Sequence, residues 1–174
     1  MKSSDFIFID KNWSKLFEGI RLKNYSQYKF ITPFIQLNTI KFILNKGISR
    51  IKLITRYSLV DFYNGVSSLD ALKYLLDCGA EIKGIKNLHS KLYMFDSKEA
   101  ILSSANLTQA ALLRNYEFGL HTIHQDIIKQ MEIYFDTLWN SIPSVLKKTD
   151  IDKWTSELDS LLKSGKSSYS KPKL

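Results

Sequence analysis

Apolar positions along the chain alternate between two spacings. Residues 28–35 form a β-branched and aromatic run, and Leu37, Ile40, Phe42, Ile43 and Leu44 then recur at helical spacing until Gly47 stops them. Residues 51–55 repeat the strand pattern. Residues 67–79 repeat the helix, behind a Ser cap and with Leu69, Leu72, Leu75 and Leu76 on one face. A third strand fits residues 81–86. Residues 89–96 and 99–106 read as a hairpin turning at Ser97-Lys98, and residues 116–123 as a last strand. Residues 125–142 make a long amphipathic helix with Ile127, Ile128, Met131, Phe135, Leu138 and Trp139 inward. Strands alternating with helices predict a layered α/β domain.

With 174 residues and 44% hydrophobic composition, the chain is long enough for one domain with a real core and too short for two full ones. Its organisation reads as a domain over 1–142, a helical extension over 143–163 with an amphipathic stretch at 151–162, and a basic tail over 164–174 expected to be disordered. The N-terminal apolar run, Phe6 to Ile9, is too short for a signal-peptide core or a membrane span. Cys78 is the single cysteine and reads as a small buried hydrophobe. Both features fit a cytoplasmic protein. A net charge of +8 favours polyanionic partners, nucleic acid or anionic lipid headgroups.

The hairpin carries the candidate chemistry. Period-two geometry puts His89 and Lys91 on one face of their strand and Ser104 and Asn106 on one face of the next. A two-residue turn at Ser97-Lys98 would pair Asp96 with Glu99, Lys91 with Ser104 and His89 with Asn106, with opposed Cβ atoms about 5 Å apart. The flanking positions are apolar on both faces of both strands, as in central strands. The polar cluster is therefore expected at the open end of the sheet, where α/β folds bind ligands.

His89-Ser90-Lys91, four residues, Asp96, six residues and Ser103-Ser104-Ala105-Asn106 together resemble the signature of the phospholipase D superfamily, His-x-Lys, Asp and Gly-Ser-x-Asn. The departure is Ser103, where the family usually has Gly. Asn106-Leu107-Thr108 and Asn115-Tyr116-Glu117 look like the nuclease and restriction-endonuclease branch of that superfamily. The resemblance implies a phospholipase D-like mixed β-sheet flanked by helices on both faces, in a single domain. It also implies phosphodiester hydrolysis without a metal or other cofactor. His89 would attack phosphorus and form a phosphohistidine, Lys91, Ser104 and Asn106 would stabilise the phosphoryl oxygens, and Glu117 would orient the histidine. Asp96, five residues past Lys91, is of opposite strand parity and is expected to fix the hairpin more than to meet substrate.

The family chemistry uses two histidines, a nucleophile and a general acid, and this chain has one copy of the motif. The resemblance therefore implies a homodimer in which His89 of each subunit serves one shared site. Arg56, at the end of the second strand, and Lys86, just before His89, are the candidates for binding backbone phosphates of nucleic acid, DNA in the first place.

Other readings compete. Asp77 with Glu81-Ile82-Lys83 superficially resembles a metal-dependent nuclease site, although the Asp is too close in sequence and helical. His121 and His124 supply two zinc ligands without a third. A lipid phosphodiesterase would share the motif. So would a non-catalytic nucleic-acid-binding module of a restriction or helicase assembly.

Overall fold

The computed structural model describes residues 5–44 and 50–163, so Gly47 and the basic tail lie outside the described residues. Seven strands, β1 (Phe6–Ile9), β2 (Gln27–Thr32), β3 (Arg50–Arg56), β4 (Glu81–Ile85), β5 (Leu92–Phe95), β6 (Glu99–Ser103) and β7 (Gly119–Thr122), form one sheet in the order β1-β7-β6-β5-β2-β3-β4. β2, β3 and β4 run parallel, and the remaining pairings are antiparallel. The helices are α1 (Trp13–Leu22), α2 (Leu37–Ile43), α3 (Leu59–Tyr63), α4 (Leu69–Asp77), α5 (Gln109–Leu113), α6 (Gln125–Ser141) and α7 (Lys148–Lys163). None is long and apolar enough to cross a membrane.

The sheet separates two cores. On one face Phe30, Leu53, Tyr93, Phe95 and Ile101 pack against Trp13, Phe17 and Ile20 of α1, Ile40 and Ile43 of α2, Leu72 and Leu75 of α4, and Ile151 of α7. On the other, Ile31, Ile54, Leu92, Met94 and Ala100 meet Ile128, Phe135 and Trp139 of α6. Each large side chain buried in this way contributes roughly 2 kcal/mol. Ser68 and Thr108 cap α4 and α5 by accepting from the N–H of Ala71 at 3.2 Å and of Ala111 at 3.3 Å.

Four elements escape the sequence pattern. β1 is a four-residue edge strand, and α3 and α5 have five residues each. α1 buries Trp13, Phe17 and Ile20 at helical spacing, but no side chain caps its start. Cys78 is exposed rather than buried. It follows the last residue of α4, off the face formed by Leu69, Leu72 and Leu75, and Gly79 then leaves the helix with φ 81°.

The hairpin turn also differs from the sequence expectation, by one residue. Asp96 and Ser97 are its central pair, both left-handed with φ of 48° and 54°, and the Lys98 N–H closes it on the Phe95 carbonyl at 2.9 Å. Phe95 consequently faces Glu99, and Tyr93 faces Ile101. The ladder continues with the Ser103 N–H donating to the Lys91 carbonyl at 3.1 Å, so Lys91 stands opposite Ser103 and not Ser104. A one-residue slip exchanges faces. Tyr93 and Phe95 share their core with Ile101, while Ala100 and Leu102 lie on the α6 side.

Candidate active site

The candidate residues nevertheless converge, because the chain leaves strand geometry on both sides of the hairpin's open end. His89 and Lys91 precede β5, Ser104 and Asn106 follow β6, Glu117 precedes β7, and Arg56 ends β3. This is the end of the sheet where the parallel strands finish. After Ser103 the backbone turns. The Ala105 N–H donates to the Ser103 hydroxyl at 3.0 Å, and the Ser104 N–H to the Phe118 carbonyl at 3.0 Å. Ser103 stands opposite Gly119. A Cβ on Gly119 would come within 2.6 Å of the Ser103 Cβ, so the glycine expected at position 103 is in effect supplied across the ladder.

Asn106 is held by its amide oxygen, which accepts from the Phe34 N–H at 3.3 Å and the Thr32 hydroxyl at 3.4 Å. Its NH₂ group is left to donate. Behind it, the buried Tyr93 hydroxyl donates to the Ala105 carbonyl at 2.5 Å and lies 3.4 Å from the Thr32 hydroxyl. β5, which follows Lys91, and the loop carrying Asn106 are thus locked to the end of β2.

Lys91 is 6% exposed, and its ammonium donates to the His89 carbonyl at 2.7 Å. Burial lowers its pKa below the ordinary lysine value; the Glu117 carboxylate opposes that shift, and the Arg56 charge adds to it. Glu117 and Arg56 therefore act on the same ammonium. An arriving phosphate would relieve its desolvation. His89 is exposed, and its ring makes no hydrogen bond among the described residues. Ser90, between the two, bonds through its hydroxyl to the Tyr134 hydroxyl of α6 at 2.6 Å.

Glu117 binds the Ser104 hydroxyl and, at 3.0 Å, the Asn115 amide, and among the described residues no hydrogen bond or ion pair joins it to His89. The Ser104 hydroxyl oxygen also accepts the Phe118 N–H at 3.0 Å. Asp96 is not brought to this cluster. At the opposite end of β5 its carboxylate accepts from the Gln27 N–H at 2.6 Å and from the Ser26 N–H and hydroxyl, both at 3.0 Å. Burial pushes its carboxyl up, but those bonds and the Lys98 charge outweigh it, and the net shift is downward.

Arg56 donates through Nε and Nη2 to Asp61 at 2.6 and 2.8 Å, and its guanidinium lies 4.4 Å from the Phe34 ring centroid. Lys86 is exposed and lines the same groove as Arg56. Sequence reasoning missed Thr32, Tyr93 and Phe34, because residues within and just after mainly apolar strands give no local sign that they face the candidate site. His121 lies away from the cluster and binds the buried Glu99 at 2.5 Å. Lys23, at 2.7 Å, and Tyr25 meet the same carboxylate. Asp77 is engaged by Lys148 at 2.5 Å. Among the described residues, no group of three or more His, Cys, Asp or Glu side chains is arranged to hold a metal ion.

Residues 24–139 match the sequence family described as cardiolipin synthase, PLD-like domain. The chain belongs to the phospholipase D superfamily. No curated protein matches it significantly in sequence. Among solved structures it is similar to Nuc, a phospholipase D family member from Salmonella typhimurium, with 14% identity and TM-score 0.66 over 83% of this chain and 100% of that one. It is also similar to NucT from Helicobacter pylori, with 16% identity and TM-score 0.56 over 79% of this chain and 96% of that one. A phosphatidylserine synthase from Haemophilus influenzae matches with 13% identity and TM-score 0.60 over 91% of this chain and 45% of that one. At these identities the likeness is one of fold, a mixed sheet with helices on both faces.

Proposed function

We propose that the protein is a metal-independent nuclease that cleaves phosphodiester bonds of nucleic acid, DNA in preference to RNA, through a covalent phosphohistidine on His89. The observation that carries this reading is an exposed His89 beside a buried, desolvated Lys91 and an Asn106 whose amide oxygen is held by Phe34, leaving its NH₂ to donate, in a chain of net charge +8. Lys91 and Asn106 supply fixed charge and donors where phosphoryl oxygens gain charge in the transition state. A ring nitrogen of His89 forms a bond to phosphorus as the bond to the leaving oxygen breaks, and that oxygen takes a proton. Water then attacks the phosphohistidine and releases the phosphate end. The full-length match to Nuc, and the near full-length match to NucT, favour a nuclease over the lipid reading.

The proton for the leaving oxygen comes from His89 of the partner subunit. Two features support a dimer. Among the described residues no side chain is hydrogen-bonded to the His89 ring to set its tautomer. Beside the site, on the α6 side of the sheet, Phe8, Leu102 and Phe118 form an apolar strip that is 64%, 46% and 59% exposed, with Phe8 and Phe118 stacked at 5.5 Å.

The test is a cleavage panel of single- and double-stranded DNA, RNA and phospholipid, in excess chelator, with wild type and His89→Ala. DNA cleavage that survives chelator and is absent from His89→Ala is expected. Cleavage confined to phospholipid, or abolished by chelator, overturns the reading.

A further inference from the structure

We infer that the groove between the ends of β3 and β4 and helix α7 holds one unpaired base of the nucleic-acid strand, next to the phosphate being cut at His89. The inference rests on the nuclease reading above and adds where the strand runs. The groove has a volume of about 710 Å³, and its walls include Arg56, Tyr57, Val60, Lys86, Asn87 and Trp154. Arg56 and Ile85 are register partners at the ends of β3 and β4, so the groove opens at the sheet end that also carries His89 and Lys91.

Its aromatic wall is built, not incidental. A Cβ on Gly84 would come within 2.6 Å of the Tyr57 Cβ, so the glycine lets Tyr57 lie against β4. Trp154 of α7 stacks on Tyr57 with ring centroids 3.9 Å apart and planes 15° apart. Phe62 buttresses both rings, edge-on, at 5.8 and 5.7 Å. The Tyr57 hydroxyl donates to the Asp150 carbonyl at 3.2 Å, which pins the start of α7. Trp154 lies beyond residues 24–139, so this wall is added to the family core by the chain's own C-terminal helix.

Three features select an unpaired base. Tyr57 and Trp154 are only half buried and both line the groove, so the stacked pair offers it aromatic surface, which is tolerant of any base. Ser58 and Asn87 offer donors and acceptors to a base edge. Arg56 and Lys86 place positive charge for the flanking phosphates. The Arg56 Nε and Nη2 atoms are committed to Asp61 and its plane to Phe34, so Nη1 is left pointing in one fixed direction. A base inside a duplex has both faces covered and cannot enter a cleft. A lipid headgroup would use the cations and leave the aromatic wall idle.

The experiment measures binding of the cleavage-inactive His89→Ala full chain to a labelled single-stranded oligodeoxynucleotide in which one abasic site is moved along the strand. The scissile position is mapped with wild type. An abasic site at one position beside it should weaken binding about tenfold, with little effect elsewhere. Adding Trp154→Ala should weaken binding of the intact strand by a similar factor and remove the abasic penalty, while Trp154→Phe keeps most of both. Should Trp154→Ala lose its native far-UV dichroism, Val60→Ala on the groove wall is the second probe, expected to weaken the intact strand and not the abasic one. Single-strand binding and cleavage with no position-dependent abasic penalty overturns the groove assignment and leaves the nuclease reading standing. Binding to anionic phospholipid vesicles with no binding to nucleic acid overturns both.

Discussion

Asp96 is the signature residue whose role geometry and motif would assign differently, and removing it separates the two. Its carboxylate receives three donors, the Gln27 N–H at 2.6 Å and the Ser26 N–H and hydroxyl at 3.0 Å, which tie the hairpin turn to the start of β2. Each charge-assisted bond at this half-exposed site is worth about 1 kcal/mol net. Alanine would also have to hold φ of 48°, at a further cost of about 1 kcal/mol. Asp96→Ala should therefore destabilise the fold by about 4 kcal/mol. Asp96→Asn, which tolerates the left-handed conformation and keeps an acceptor, should cost about 1–2 kcal/mol. In urea unfolding at a slope of about 2 kcal/mol/M, the alanine midpoint falls by about 2 M. The Asp96 carboxyl is held below its ordinary pKa. Its stabilisation is therefore fully present above the unfolded value near 4 and is lost as pH falls through the folded value, so the gap between wild type and Asp96→Asn should close on acidification. Cleavage per folded molecule should stay within about twofold of wild type in both variants. An unchanged urea midpoint combined with a large loss of turnover would refute this reasoning and put Asp96 in the chemistry.

Lys91→Met should abolish cleavage by roughly a hundredfold or more while leaving the urea midpoint unchanged or raised, because burial disfavours the ammonium in the unliganded protein. Glu99→Gln should cost about 3 kcal/mol in urea, since the carboxylate is 2% exposed and answers Lys23, Tyr25 and His121. Burial pushes the Glu99 carboxyl up, its three partners bring it down to about 2, and its contribution should be present above pH 4–5 and fade toward pH 2. Phe118→Asp, in the exposed apolar strip beside the site, should shift sedimentation from dimer to monomer and lower cleavage in proportion, whereas a monomeric wild type of full activity contradicts the shared site.

Long, strongly periodic segments were legible in the sequence. The core-facing Leu69, Leu72 and Leu75 of α4 and Ile128, Phe135 and Trp139 of α6 lie where spacing puts them. The hairpin register was not legible, because it turns on Asp96 adopting a left-handed conformation to grip Ser26 and Gln27, a contact about seventy residues distant in sequence. That contact moved Lys91 from Ser104 to Ser103, and the irregular chain after Ser103 then returned Ser104 and Asn106 to the same sheet end. The motif named the polar residues of the candidate site. It could not show that Thr32 and Phe34 aim Asn106, or that Glu117 rests on Ser104 rather than on the histidine. Trp154 gave no functional sign at all, since only the fold brings α7 beside the end of β3.

The central claim is that His89 becomes covalently bonded to phosphorus. Rapid acid-free quenching of wild type during turnover of DNA in excess chelator, followed by mass spectrometry of the peptide containing His89, tests it most directly. A nucleotide or phosphate adduct on His89, stable in base and labile in acid, and absent when Lys91→Met replaces wild type, is the expected result. DNA turnover at a normal rate with no adduct on His89, or with His89→Ala as active as wild type, contradicts it.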